Sequence, residues 1–226
     1  MEKICRNLYR AAIDAANLDA FKAGAEKDVA AIRKEIDGGK LLGLSLYTWE
    51  QHVFLYFETV DCQISPDELL PNAAKALESW PGDTAPRKWI PLIDIFHFNA
   101  PAGLEHWTRK SPVEKHLGKI GLLKPEMIQW YMYCHYTAQE ERVLGGGDKY
   151  QIIGINENII FCYGEAPTYG EEQVIPCALV DELKTNITAE QWGALKVGPN
   201  SFIPWADKVG TPQERLRDMD EVVSVW

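Results

Sequence analysis

With 226 residues, 46% of them hydrophobic and 25% charged, the chain has an ordinary globular composition, enough for one large domain or two small ones. A formal net charge of −10 argues against a nucleic-acid surface, which needs a basic patch facing the phosphates. No run of about 18 apolar residues exists, and the first residues, MEKICRNLYRAA, lack an apolar signal core, so the expectation is a cytoplasmic protein without a membrane partner.

Ile4 to Ile13 reads as a first strand. Asp14 opens a helix in which Leu18, Phe21, Ala25, Val29, Ile32 and Ile36 recur at helical spacing, until Gly38-Gly39 stops it. Leu41 to Glu58 (LLGLSLY, TWEQH, VFLYFE) is a hairpin of two apolar strands around a polar turn. Ser65-Pro66-Asp67-Glu68 has the form of a capping box, predicting a helix that buries Leu69, Leu70, Ala73, Leu77 and Trp80 and ends at Pro81-Gly82. Trp89 to Asn99 is a final strand. The order strand, helix, strand, strand, helix, strand is that of a ferredoxin-like unit, with an antiparallel sheet and both helices on one face.

Residues 101–117 are polar, contain Pro101, Gly103 and Pro112, and read as a linker, with a short helix predicted at Ser111-Pro112-Val113-Glu114. Gly118 to Leu123 is the next strand. Residues 125–144 form a helix with Ile128, Met132, His135, Tyr136, Gln139 and Val143 on one stripe, closed by Gly145-Gly146-Gly147. Tyr150 to Glu165 (YQIIGI, NEN, IIFCYGE) repeats the hairpin, and a loop of residues 166–185 follows. Thr188 caps a helix through Trp192 and Leu195. A further helical piece is predicted over Phe202 to Val209, and Glu221 to Trp226 closes the chain as a strand. The order repeats that of residues 1–100, so residues 1–100 and 118–226 read as tandem ferredoxin-like units, an α+β chain built by duplication.

Five cysteines, Cys5, Cys62, Cys134, Cys162 and Cys177, are odd in number and show no CxxC spacing, which points to reduced thiols rather than a disulfide frame. No metal-ligand spacing is present. The eight Trp and nine Tyr residues are either core or platforms for flat ligands. Tyr131 and His135 lie one helical turn apart and share a face, an arrangement suited to acid–base work but more often found as a packed core pair.

Pro125, Tyr131, His135, Tyr150, Trp192 and Trp205 together resemble the L-rhamnose mutarotase family. The motifs are KPEMIQWYMYCH, KYQIIG, AEQW and FIPW, with EVVSVW similar to that family's closing strand; Pro204 stands where the family has the first of two tryptophans. The resemblance spans residue 118 to the end, interrupted by the 166–185 loop. It implies an aldose mutarotase acting on L-rhamnose or a related monosaccharide, a reaction that requires no metal or redox cofactor, with His135, Tyr131 and Tyr150 catalytic and Trp205 and Trp192 binding the sugar. It also implies that the two antiparallel sheets pack together as an α/β-barrel pseudo-dimer within one chain. In the first unit Phe21 and Ala25 take the places of the Tyr and the His, so that unit would be a scaffold. Two alternatives stand beside this reading: a non-catalytic sugar-binding protein on the same scaffold, and a cofactor-free α/β-barrel monooxygenase.

Overall fold

A computed structural model describes residues 2–61 and 63–226, so the expected thiol at Cys62 lies outside the described residues. Cys5, Cys134, Cys162 and Cys177 are free thiols. β1 (Ile4–Ala12) runs into a 3-10 turn whose entry is capped by the Asp14 carboxylate, which accepts from the Ala16 amide at 2.8 Å. α1 (Leu18–Asp37) follows, and Gly39, at φ 71°, turns the chain in a conformation glycine adopts without strain. β2 (Leu41–Trp49) and β3 (His52–Val60) form the first hairpin.

Ser65 does cap a helix, with both hydrogen bonds of the capping box, but α2 (Pro66–Leu69) is only four residues long. The predicted continuation to Trp80 fails because Pro71 disfavours helical backbone at Leu70, which leaves the helix at φ −128° and ψ 50°. The predicted strand over residues 89–99 is also two pieces, β4 (Ile90–Pro91) and β5 (Ile93–His97), and they join different sheets.

The connector holds α3 (Leu104–Trp107). Residues 111–114 form no helix; the Glu114 amide instead donates to the Ala166 carbonyl and extends a strand pairing. β6 (Lys115–Leu122) leads through a 3-10 turn at Pro125 into α4 (Ile128–Glu140), which stops short of the predicted residue 144. β7 (Gly147–Asp148), β8 (Ile152–Asn156), β9 (Ile159–Ala166) and β10 (Gly170–Glu171) follow; β10 pairs with β7, so the 166–185 loop starts as a short ribbon. Thr188 caps α5 (Ala189–Ala194) with a second capping box, and α6 (Val197–Ser201) comes next. The helix expected over residues 202–209 is reduced to a 3-10 turn at Ala206–Lys208, because Phe202 is extended and bridges to Leu123. β11 (Arg217–Asp218) and β12 (Asp220–Val225) end the chain.

The sheets have the orders β12-β2-β3-β1-β4 and β11-β6-β9-β8-β5. The closing strand pairs with β2 (Ser224 opposite Ser45) rather than completing the second repeat, and β5 pairs with β8. Each repeat thus gives its last strand to the other repeat's sheet. The chain accordingly divides into one compact unit of residues up to Leu92 with 101–110 and 219–226, and a second of 93–100 with 111–218. Each is α+β with an antiparallel sheet.

In the first unit α1 buries Phe21, Ala25 and Ile32 against Leu44, Leu46, Val53, Leu55 and Phe57. Gly24 lets the helix touch the Asn72–Ala73 backbone: a Cβ there would lie 2.8 Å from Ala73 N and from the Asn72 carbonyl. Asp28, 1% exposed, locks the same contact by accepting from the Asn72 and Ala73 amides at 3.0 Å each. We therefore expect Gly24→Ala to lower stability by about 1–3 kcal/mol in urea unfolding, although alanine is the better helix former, because backbone atoms cannot yield as a flexible side chain would. In the second unit α4 buries Tyr131, Cys134, His135 and Ala138. Tyr136, expected on the inward stripe, is 51% exposed.

Alternation along β3 sends Val53, Leu55 and Phe57 to the helix and Phe54, Tyr56 and Glu58 to the opposite face, yet all six are fully buried. The same split in β9 leaves Phe161, Tyr163 and Glu165 on the face away from Ile160 and Cys162, again all buried. Both faces of these strands are thus covered, and polar groups on the second face must find partners there.

Candidate functional site

The structure brings Tyr131, His135 and Trp192 together and gives Tyr150 and Trp205 other neighbours. The rings of Tyr131 and His135 lie 3.9 Å apart, with Phe96 and Trp192 edge-on to the imidazole at 5.7 and 5.8 Å. Nδ1 of His135 is 2.9 Å from the Tyr131 carbonyl, and Trp192 Nε1 donates to the Cys134 carbonyl. Burial pushes the His135 imidazole down to about 4, only partly opposed by its bond to the Tyr131 carbonyl, and raises the Tyr131 phenol well above its ordinary value. Tyr150 lies beside Lys149 and Tyr169, and Trp205 lies under the Arg217 guanidinium. The Tyr131–His135 pair sits on the helix side of the sheet within an apolar cluster.

On the opposite face each sheet carries a polar trio that sequence reasoning missed. In the first unit Arg6 Nε donates to the Tyr56 hydroxyl at 2.9 Å, and Tyr56 donates to Glu58 Oε1 at 2.6 Å. Arg109 grips the same carboxylate with both terminal nitrogens, one at 2.9 Å, while its guanidinium lies 4.5 Å from the Trp226 ring centre. Burial by itself would raise the Glu58 carboxyl; the charge and hydrogen bonds of Arg109, helped by Arg6 and Tyr56, more than offset that and hold it below the usual range. Burial dominates at Tyr56, whose phenol is raised well above its ordinary value.

In the second unit the same positions read His116, Tyr163 and Glu165. Strand register places Arg6 opposite Glu58 and His116 opposite Glu165. Tyr163 donates to Glu165 Oε1 at 2.8 Å, and its oxygen is 2.7 Å from His116 Nδ1. Because the phenol proton is directed to the carboxylate, Nδ1 supplies the proton in the second bond, and a neutral His116 then has its lone pair on Nε2. A cleft of about 220 Å³ is lined by Tyr163, Glu165, Asp148 and Gln151 among others, and also by Lys119 and Cys162, which strand register places opposite each other on the other face of the sheet; His116 does not line it.

The signal for both trios lies in the sequence: VFLYFE and IIFCYGE share F-x-Y-x-E, three residues at period 2 and so on one strand face. The third member, from β1 or β6, is found only from the register. Among the described residues no three of His, Cys, Asp and Glu come together as a metal site, and no helix is long and apolar enough to cross a membrane.

No family model matches the chain, and no curated protein matches it. The solved structures similar to it include two proteins each described as a "putative monooxygenase". The one from Lactobacillus acidophilus has 9% identity over 99% of this chain and 96% of that one, with a TM-score of 0.43. The one from Fusobacterium nucleatum has 10% identity over 98% and 94%, with a TM-score of 0.42. An anthrone oxidase-like protein gives 8% identity over 99% and 92%, with a TM-score of 0.35. These are monooxygenase- and oxidase-like proteins rather than rhamnose mutarotases, which corrects the family resemblance and the isomerase activity inferred from it. At such identities the likeness transfers no residue and no activity to this chain.

Proposed function

We propose that the second unit is an acid–base site in which His116, oriented by Tyr163 and Glu165, removes a proton from an enolisable or phenolic substrate, and that the carbanion so formed is oxygenated directly by O2. The observation that carries this reading is the hydrogen-bonded run Glu165–Tyr163–His116, set against its counterpart in the first unit. Where the first unit has Arg6, a permanent cation, the second has an imidazole, a side chain that can both accept and donate a proton. The buried carboxylate and phenol hold that imidazole in one tautomer, as an orienting acid does in a catalytic triad. In balance, one activated methylene group and one molecule of O2 give one carbonyl group and one molecule of water. The carbanion reduces O2, and the proton held by His116 passes to the outer oxygen of the hydroperoxide formed on carbon. Loss of water then breaks the O–O bond and leaves the carbonyl.

The test is oxygen uptake with 1,8-dihydroxyanthrone, corrected for autoxidation, in the wild type, His116→Gln and Tyr163→Phe. Losing the base lowers the enzymatic rate by about 10²–10⁴-fold. Tyr163→Phe retains the imidazole but frees its orientation, giving a smaller loss with a shifted pH profile. A wild-type rate no faster than buffer, or an unimpaired His116→Gln variant, would overturn the reading.

A further inference from the structure

The second unit presents an aromatic helix face to solvent that the first does not have. α1 and α4 bury matching positions: Phe21, Gly24, Ala25 and Asp28 in one, Tyr131, Cys134, His135 and Ala138 in the other. Carried to the outward side, that match pairs Trp130 with Ala20, Tyr133 with Ala23 and Tyr136 with Glu26. Trp130, Tyr133 and Tyr136 are 38%, 55% and 51% exposed, and the first two stack with ring centres 6.1 Å apart. The same match pairs Glu126 with Ala16 and Glu140 with Ala30. Helical spacing sets Glu126, the three rings and Glu140 along one side of α4, with a carboxylate at each end. A fold that takes alanine at Ala16, Ala20, Ala23 and Ala30 in its other half does not need rings or acids there for packing. Clustered rings left in water mark a surface that something covers.

Charge and area select what covers it. Ring faces and carboxylates both attract cations, and the neighbouring Lys124 and Arg142 are engaged instead by the Asn200 and Pro176 carbonyls. Three rings about half in water expose roughly 300 Å², well short of the ~800 Å² that each partner of a stable dimer covers. A second copy would also bring like carboxylates together, and an anionic lipid surface would meet both acids and a net charge of −10. We propose that the outward face of α4 docks a short basic amphipathic segment of another protein. Its apolar residues lie on the three rings and its lysine or arginine side chains on Glu126 and Glu140. The face is on the side of α4 away from the sheet and does not depend on the acid–base reading of the opposite sheet face.

The test is fluorescence anisotropy on the full chain with a labelled amphipathic helical peptide of leucine and lysine, about 14 residues long to span the ~20 Å between the two acids. The control is the same peptide with glutamate for lysine. The lysine peptide binds and the glutamate peptide does not. Trp130→Ala/Tyr133→Ala, which copies the first unit and so retains the fold, weakens the lysine peptide by about tenfold or more. Glu126→Ala/Glu140→Ala, which copies it likewise, weakens the peptide about fivefold and flattens the salt dependence. Equal binding of the two peptides, no binding of the lysine peptide up to ~1 mM, or unchanged affinity in either variant would overturn the proposal. So would a wild-type dimer in sedimentation that Trp130→Ala/Tyr133→Ala abolishes, or ring-dependent binding to vesicles of phosphatidylcholine and phosphatidylserine, since each names a different occupant.

Discussion

Glu58→Ala lowers the unfolding free energy by about 3–5 kcal/mol, the cost expected when one partner of a buried ion pair is removed and the other stays. Glu58 is fully buried and gathers Arg109, Tyr56 and, through Tyr56, Arg6. Without it two guanidinium groups face each other across a buried phenol whose donor has lost its acceptor. The pair as built need add little net stability, because desolvation opposes the attraction; its removal is what is expensive. Glu58→Gln is the informative companion: it keeps an acceptor for Tyr56 but loses the charge, and should fall between wild type and Glu58→Ala. Urea unfolding at pH 7 measures all three, and a Glu58→Ala protein within about 1 kcal/mol of wild type would show that the trio carries no structural weight. The folded carboxyl lies below its unfolded value, so its contribution is complete above the ordinary carboxylate pKa and is lost only as the pH falls through that lowered value.

Acid also acts through His135, earlier and by a different route. Its folded value is about 4 against 6.5 for the free imidazole, so between those pH values the unfolded chain binds a proton that the folded chain refuses. The sign follows from that difference: there is no penalty above 6.5, and stability falls as the pH drops from there towards 4. By about pH 4.5 the loss is roughly 2–3 kcal/mol, accumulating at about 1.4 kcal/mol for each pH unit. His135 is 8% exposed, so solvent screening scarcely reduces the figure. In His135→Leu the imidazole is gone, and the difference in urea stability between about pH 7 and about pH 4.5 should shrink by that amount. Equal pH slopes in the two proteins would mean that the imidazole is not held neutral. The same burial explains why this residue resembles a catalytic group in sequence while its surroundings favour an uncharged ring.

Elements set by neighbouring residues are legible along the chain. Asp14, Ser65 and Thr188 cap where their sequences say they should, and both hairpins form at their expected turns. Departures cluster where a local signal meets a stronger one. Pro71 cuts short a helix that hydrophobic spacing would carry to Trp80, and the helical stripe through His135 and Gln139 suggests an inward Tyr136 that the fold turns to solvent.

The repeated order of strand, helix and hairpin can be read from the sequence alone, because strand alternation, helical spacing and turn residues are local signals. Period 2 likewise puts Phe, Tyr and Glu on a single face of each hairpin. The exchange of Ile93–His97 and Asp220–Val225 between the sheets is a matter of tertiary packing, since strand pairing is made by backbone groups that every residue carries. Strand register, too, is what brings Arg6 to Tyr56 and His116 to Tyr163, across 50 and 47 positions of the chain. That pairing gives one unit an arginine–tyrosine–glutamate cluster and the other a histidine–tyrosine–glutamate cluster, on a face whose burial no periodicity reveals.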